Sequence, residues 1–324
     1  MNNNRIEFID LAKGICITLV VLFHCNIEVP YLHYIRMPLY FILSGLFFKP
    51  YNGFVDFLKR KINKILVPFL FFYLLSYAIY FTVSHFFPNV RFSSEISQFF
   101  FLDPWYSRIC FNNPLWFLLS LFWCNILYFI IQTISSKSVV QLLLSILCVV
   151  FYEVIRNDVF LPLYLGRTLS YLPYFFVGTV IKRTSLLCEN EGVSFFQRNK
   201  SVLIGLVFVV LFVSFDEIFK LTSNIVIRYI CSITGVMALL LILKKIGKLS
   251  LLSYYGRYSI IILCTSHLIY SPLKVLCTHL ISEWGGVNVI VFISTMLIEI
   301  AIIWLCRKFL PYVTAQRDLI PIQN

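Results

Sequence analysis

The chain has 324 residues, 60% of them hydrophobic and only 13% charged, where ordinary soluble domains are roughly a quarter charged. Apolar runs of about twenty residues recur from end to end, which excludes a water-soluble globule and reads as an all-α polytopic membrane protein. The net charge of +12 does not point to nucleic acid, because the Lys and Arg residues fall mostly in short connectors.

Ten spans are expected. Their cores lie at Leu11–Ile27, Tyr34–Phe48, Ile65–His85, Pro114–Ile134, Val139–Ile155, Leu169–Ile181, Val202–Phe219, Ile225–Leu243, Ser259–Leu276 and Val287–Cys306. The sixth is short, with an alternative start near Leu161. The first run reads as a retained helix, since no small-residue cleavage site follows it; His24, Cys25, Asn26 and Glu28 do. Connectors after the even spans hold most cations, among them Lys59, Arg60, Lys61, Lys64, Lys182, Arg183, Lys244, Lys245, Lys248 and Arg257. Opposite connectors mix Arg91, Arg108, Arg156 and Lys220 with Glu95, Asp103, Asp158, Asp216 and Glu217. That asymmetry puts both termini in the cytoplasm. No long polar block interrupts the pattern, so residues 1–324 form a single transmembrane domain.

Two connectors stand out. Phe54 to Pro68 is amphipathic at helical spacing: Phe54, Phe57, Leu58, Ile62 and Ile65 can share a face, and the cations project elsewhere. It reads as an interfacial helix on anionic lipid heads or as a phosphate clamp. The stretch Phe86 to Asn113 is the longest external connector and holds Asp103, Pro104, Trp105, Tyr106 and Arg108. An acid beside aromatics suits either a sugar ring or an interfacial aromatic belt. The ten cysteines are scattered through apolar runs with no C-x-x-C pair, which reads as small buried hydrophobes.

Lys13 and His24 share the first span, eleven residues apart. That is about three helical turns, so both lie near one face, roughly 16 Å apart along the axis. Ionisable residues in an apolar span normally face a bundle interior or a watery cavity. His267, mid-span, is a second candidate on the same ground. Glu153 and Glu299 lie within or near spans and are expected to pair locally.

Four stretches resemble the acyltransferase 3 family of integral-membrane acyltransferases, in the fucose 4-O-acetylase-like branch. Ile9-Asp10-Leu-Ala-Lys13 … His24 is similar to its basic-residue-x10-His hallmark, with Lys for the commoner Arg. Met37-Pro38-Leu39-Tyr40-Phe41-Ile42-Leu43-Ser44-Gly45 resembles its M-P-L-F-F-x-x-S-G segment. Lys61-Ile-Asn-Lys64 … Pro68 sits where the family has R-x-x-R before proline, and Pro114-Leu-Trp116-Phe-Leu looks like its W-F-L segment. Phe176-Val-Gly178 and Ser259 … His267 fit more loosely. Arg36 stands where many relatives of this branch carry His.

The resemblance implies an O-acetyltransferase of the bacterial inner membrane that takes acetyl-CoA as donor, without a metal. Its implied acceptor is a cell-surface glycan or the lipid-linked sugar precursor. Lys13, Lys61, Lys64 and Arg60 would hold the donor's phosphates, the lysines as point charges without the bidentate fork of Arg. His24, with Asp10 beside Lys13, would act as general base, since neutral imidazole is the usual base near neutrality. Arg36, Ser44, Trp116 and His267 are candidates on the acceptor side. Ser44-Gly45 also reads as close helix packing, and Trp116 as an interfacial anchor. A transporter or flippase for a lipid-linked sugar or small solute fits the composition as well, but leaves the matched cations and imidazole without a role.

Overall fold

The computed structural model describes residues 7–29, 32–86, 112–159, 161–183, 203–214, 224–281 and 286–322. Among these no strand occurs. In chain order the helices are α1 (Glu7–His24), α2 (His33–Leu46), α3 (Phe54–Lys61), α4 (Val67–Phe86), α5 (Trp116–Ile134), α6 (Ser138–Ile155), α7 (Leu165–Arg183), α8 (Leu203–Ser214), α9 (Ile225–Ile246), α10 (Ser250–Arg257), α11 (Ser259–Ile281) and α12 (Val287–Phe309). The long external connector lies outside the described residues, with Asp103, Trp105 and Arg108, as do Asp216, Glu217 and Lys220.

A helix stands at each of the ten expected positions. Six stretches are long and apolar enough to cross a membrane: Phe54–Phe86, Asn113–Ile134, Ser138–Ile155, Ile225–Ile246, Ser259–Leu280 and Val287–Phe309. The other four fall short for local reasons. Helix α1 carries Glu7, Asp10 and Lys13, α2 has 14 residues, α7 carries Arg167, Lys182 and Arg183, and α8 is described only over Leu203–Ser214.

The helices are apolar outside and polar inside. On α6, Leu143, Ile146, Leu147, Val150, Phe151 and Val154 are exposed, while Gln141 and Ser145 are fully buried. Gln141 accepts from the Tyr128 hydroxyl at 2.9 Å and donates to the Ser135 carbonyl at 2.8 Å. On α12, Leu297, Ile298, Ile300 and Trp304 face outward and Glu299 faces in, where the Thr265 hydroxyl lies 2.8 and 2.9 Å from its two oxygens. Asn112 donates to Ser76 Oγ and the Cys264 carbonyl, both at 2.8 Å. Water would penalise so much exposed apolar surface, whereas lipid accepts it and instead penalises unpaired polar groups. The chain is a multi-pass membrane protein. The eight described cysteines are free thiols, most of them buried.

The amphipathic segment at 54–68 is not a separate interfacial element. It runs on into α4 through a π-helical turn at Ile62–Leu66, where the Val67 N–H bonds to the Ile62 carbonyl. Pro68 supplies the cause: it has no N–H for the residue 64 carbonyl, and its ring crowds that carbonyl, so the preceding turn widens. Of the expected apolar face, Phe57 and Ile65 are buried, but Phe54 is exposed and Asn63 takes an inward place.

The chain divides into two compact units. One comprises Met1–Phe47 and Val177–Ser259, the other Phe48–Phe176 and Ile260–Asn324. In the first, α1 is central, packed on α2, α9 and α10, with Leu11, Ala12, Cys16, Ile17 and Val21 buried. Its closest contact is backbone against backbone. A Cβ on Gly14 would overlap the Leu252 carbonyl, and one on Gly256 would overlap the Asp10 carbonyl. Another close approach joins α2 and α7, where a Cβ on Gly178 would overlap the Ile42 carbonyl. In the second unit, Phe48 gathers Phe57, Tyr128 and Phe175 at ring-centroid distances of 5.6, 5.0 and 5.7 Å.

Gly256→Ala is expected to cost about 1–3 kcal/mol by overpacking and lower the melting temperature in detergent by several degrees. Gly205→Ala, whose Cβ would meet side-chain atoms of Leu241 and Ile242 at 3.3 Å, should shift it less. Thermal unfolding of the two purified variants checks the ranking.

Candidate active site

Helices α1 and α2 run antiparallel, so the two ends of α1 meet opposite ends of α2. At one end the Lys13 amine lies 5.2 Å from the centroid of Phe47, just past α2. The Tyr40 hydroxyl donates to the Lys13 carbonyl at 3.3 Å. At the other end His24 closes α1, half-buried, its imidazole edge-on to Phe23 at 5.4 Å. The Arg36 guanidinium covers Phe23 at 3.8 Å and lies within electrostatic reach of His24. The Cys16 thiol donates to the Arg36 carbonyl at 2.6 Å, which fixes this part of α2 against α1. Beside it opens a cleft of about 600 Å³, walled by Leu19, Leu22, Phe23 and Leu32 and made polar by Glu28 and Arg36. Neither Lys13 nor His24 lines this cleft.

Asp10 is buried, and its carboxylate lies 3.8 Å from Arg257 Nε on α10. Arg257 also reaches Glu7, at 3.8 Å, and Lys248 reaches Glu7 at 3.6 Å. The acidic first turns of α1 are thus held by cations from far along the chain. Acids belong at a helix N-terminus, where the macrodipole favours them. Arg257 had counted only as one more connector cation, because nothing local to it announces a partner on α1.

In the second unit two of the three cations between Arg60 and Lys64 are engaged by carboxylates. Arg60 Nε donates to both Asp56 oxygens, at 3.1 and 3.2 Å, and its guanidinium covers Tyr51 at 4.6 Å. Lys64 Nζ lies 3.0 Å from Asp318 and donates to the Ala315 carbonyl at 3.1 Å. Lys61, half-buried, has its amine 5.4 Å from the Phe57 centroid and makes no ion pair among the described residues.

The remaining candidates divide between the units. In the first, Ser44 is half-buried on α2 and Gly45 buried, and Gly178 of α7 packs against the Ile42 carbonyl of this helix. In the second, Trp116 is buried under the Arg167 guanidinium, 4.5 Å from its ring, with Tyr164 and Tyr171 at 6.1 and 6.0 Å. Also in the second, His267 is buried on α11 between Tyr270 at 5.0 Å and Tyr80 at 6.2 Å, and the Tyr80 hydroxyl donates to Ser271 at 3.2 Å. Glu153 pairs with Arg156 at 2.8 Å.

The first unit thus sets an imidazole at the end of α1, a cation within electrostatic reach of it and a cleft beside that cation. The acyltransferase-domain family model Acyl_transf_3 matches residues 6–307, and the chain belongs to that family. No curated protein and no solved structure matches it.

Arg257→Ala should lower the melting temperature by several degrees, because it strips a buried carboxylate of a partner. Asp10→Asn placed on that background should cost less than it does alone, a coupling of at least about 0.5 kcal/mol. A double-mutant cycle read by thermal unfolding gives the answer; strict additivity would dissolve the pair.

Proposed function

We propose that the chain is a membrane O-acetyltransferase of the fucose 4-O-acetylase-like branch. It moves an acetyl group from cytoplasmic acetyl-CoA to a hydroxyl of a cell-surface glycan or its lipid-linked precursor. The observation that carries this reading is the extent of the family match, residues 6–307, which takes in Lys13, His24, Arg36, Lys61, Lys64, Trp116 and His267 in order. Ten spans, both termini inside and a bacterial inner membrane belong to the same proposal.

In this mechanism His24 is the general base. Its imidazole takes the proton from the acceptor hydroxyl as that oxygen attacks the thioester carbonyl. The tetrahedral centre then collapses, the carbon–sulfur bond breaks, and the proton passes to the departing CoA thiolate. Support comes from the placement of His24 at the end of α1 with Arg36 nearby: a cation there can draw an anionic acceptor or offset the oxyanion's charge. Lys13 sits about 16 Å from His24 along α1, a separation that suits a donor whose phosphates and thioester lie at opposite ends. Within the second unit, Lys61 and Lys64 are donor-phosphate candidates because they stand where the family has its R-x-x-R segment. Arg36, in place of the His of many relatives, sets the acceptor preference.

His24→Ala should cut acetyl transfer by at least about a hundredfold, the usual worth of a positioned base, and leave the thermal melt unchanged. Acceptor-dependent release of CoA from radiolabelled acetyl-CoA by the purified protein measures it. Undiminished transfer by the Ala variant would remove His24 from the mechanism.

A further inference from the structure

After α12 ends at Phe309 the chain turns back on itself and forms a strap along residues 310–322. The Thr314 N–H bonds to the Leu310 carbonyl at 3.2 Å, and the N–H groups of Gln316 and Arg317 reach the Pro311 carbonyl at 3.0 and 2.9 Å. Thr314 is fully buried, and Ala315 turns the chain with φ 60°. The strap lies on the π-helical turn Ile62–Leu66, and it is held there by an amide. The Asn63 side chain donates to the Ile320 carbonyl and accepts from the Ile320 N–H, both at 2.8 Å. Asn63 is fully buried, so this reciprocal pair satisfies its amide where no water can.

The next residue, Lys64, points outward from the same turn. It meets Asp318 at 3.0 Å and the Ala315 carbonyl at 3.1 Å. Asp318 is the only carboxylate side chain between residues 310 and 324. The side chains of Lys64 and Asp318 are 46% and 38% exposed. An ion pair that wet contributes little and exchanges easily. The buried Asn63 anchor and the exposed Lys64 contact are therefore separable: the strap can stay down while the ion pair opens. One turn back, Lys61 makes no ion pair among the described residues. The family match ends at residue 307, so the whole strap lies outside the matched region.

We infer that Asp318 stands at Lys64 in the place of a donor phosphate, so that the donor binds by exchanging one ion pair for another and Asp318 sets the donor's affinity. A carboxylate and a phosphate present the same chemistry to an ammonium group: anionic oxygens near 3 Å. Lysine suits such an exchange, since its three donors rotate freely and fix no planar geometry. This inference rests on the reading of Lys61 and Lys64 as donor contacts, and it adds the residue that competes with the donor there.

The test is calorimetric binding of CoA, without acceptor, to the full-length protein in lipid nanodiscs at low salt. Asp318→Asn should tighten CoA about two- to fivefold, the range an exposed pair supports. Lys64→Ala should weaken it, and Asp318→Asn added to Lys64→Ala should then gain nothing. Asp318→Glu should keep wild-type affinity, and Asp158→Asn, the same charge change elsewhere, should leave CoA affinity unaltered. Equal affinity in wild type and Asp318→Asn would overturn the competition and leave the donor-binding reading intact. Tightening that persists without Lys64 would also overturn it, by making Asp318 a general charge effect. Failure of CoA to bind wild type or any variant would overturn the inference together with the donor reading.

Discussion

The crossing of α1 and α10 is the constraint on which the first unit depends. Two glycines, Gly14 and Gly256, let backbone meet backbone, so that any side chain at either position would overlap a carbonyl of the other helix. In lipid, helices gain little from apolar contact alone, and close approach through small residues is a main source of association. The same approach brings Arg257 to Glu7 and Asp10, so packing and charge reinforce each other. With the first turns of α1 fixed, Lys13 and His24 follow at set heights along a rigid rod. A loose crossing would move both of them.

The second unit is governed by the need to pair polar groups away from water. Glu299 has Thr265, Gln141 has Tyr128 and the Ser135 carbonyl, Asn112 has Ser76 and the Cys264 carbonyl, and Asn63 has the Ile320 backbone. Each joins residues from different elements, the last across more than two hundred positions of chain. Inside a membrane an unpaired group of this kind costs several kcal/mol. These pairs therefore specify which helices are neighbours more sharply than the apolar faces do, since one aliphatic face meets lipid or another helix almost equally well.

Charge in this chain follows the same economy. Cations that look like a ready-made anion clamp in sequence are partly balanced by the chain's own acids, Asp56 at Arg60 and Asp318 at Lys64. A local acid keeps such a group of like charges from repelling itself. Lys61 lies between these two pairs, its amine 5.4 Å from the Phe57 ring, and makes no ion pair among the described residues. The π-turn forced by Pro68 sorts this segment, with Asn63 inward and Lys64 outward one residue apart.

The sequence by itself determined the all-helical membrane class, the positions of the helices and the family. Those depend on apolar runs and short motifs, which are local and survive any packing. It also placed Lys13 and His24 on one helix at a fixed separation, because helical rise is independent of context. The tertiary structure alone decided the partners. Arg257 for Asp10, Thr265 for Glu299, Arg167 for Trp116 and Ile320 for Asn63 are distant in sequence. Residue type names a need for a partner without naming the partner. The amphipathic reading of 54–68 shows the limit within a single segment: spacing found Phe57 and Ile65 but grouped Phe54 with them, and Phe54, the first residue of α3, is exposed. Which apolar side chain meets lipid and which polar one is enclosed depends on what arrives from elsewhere in the chain, and only folding brings it there.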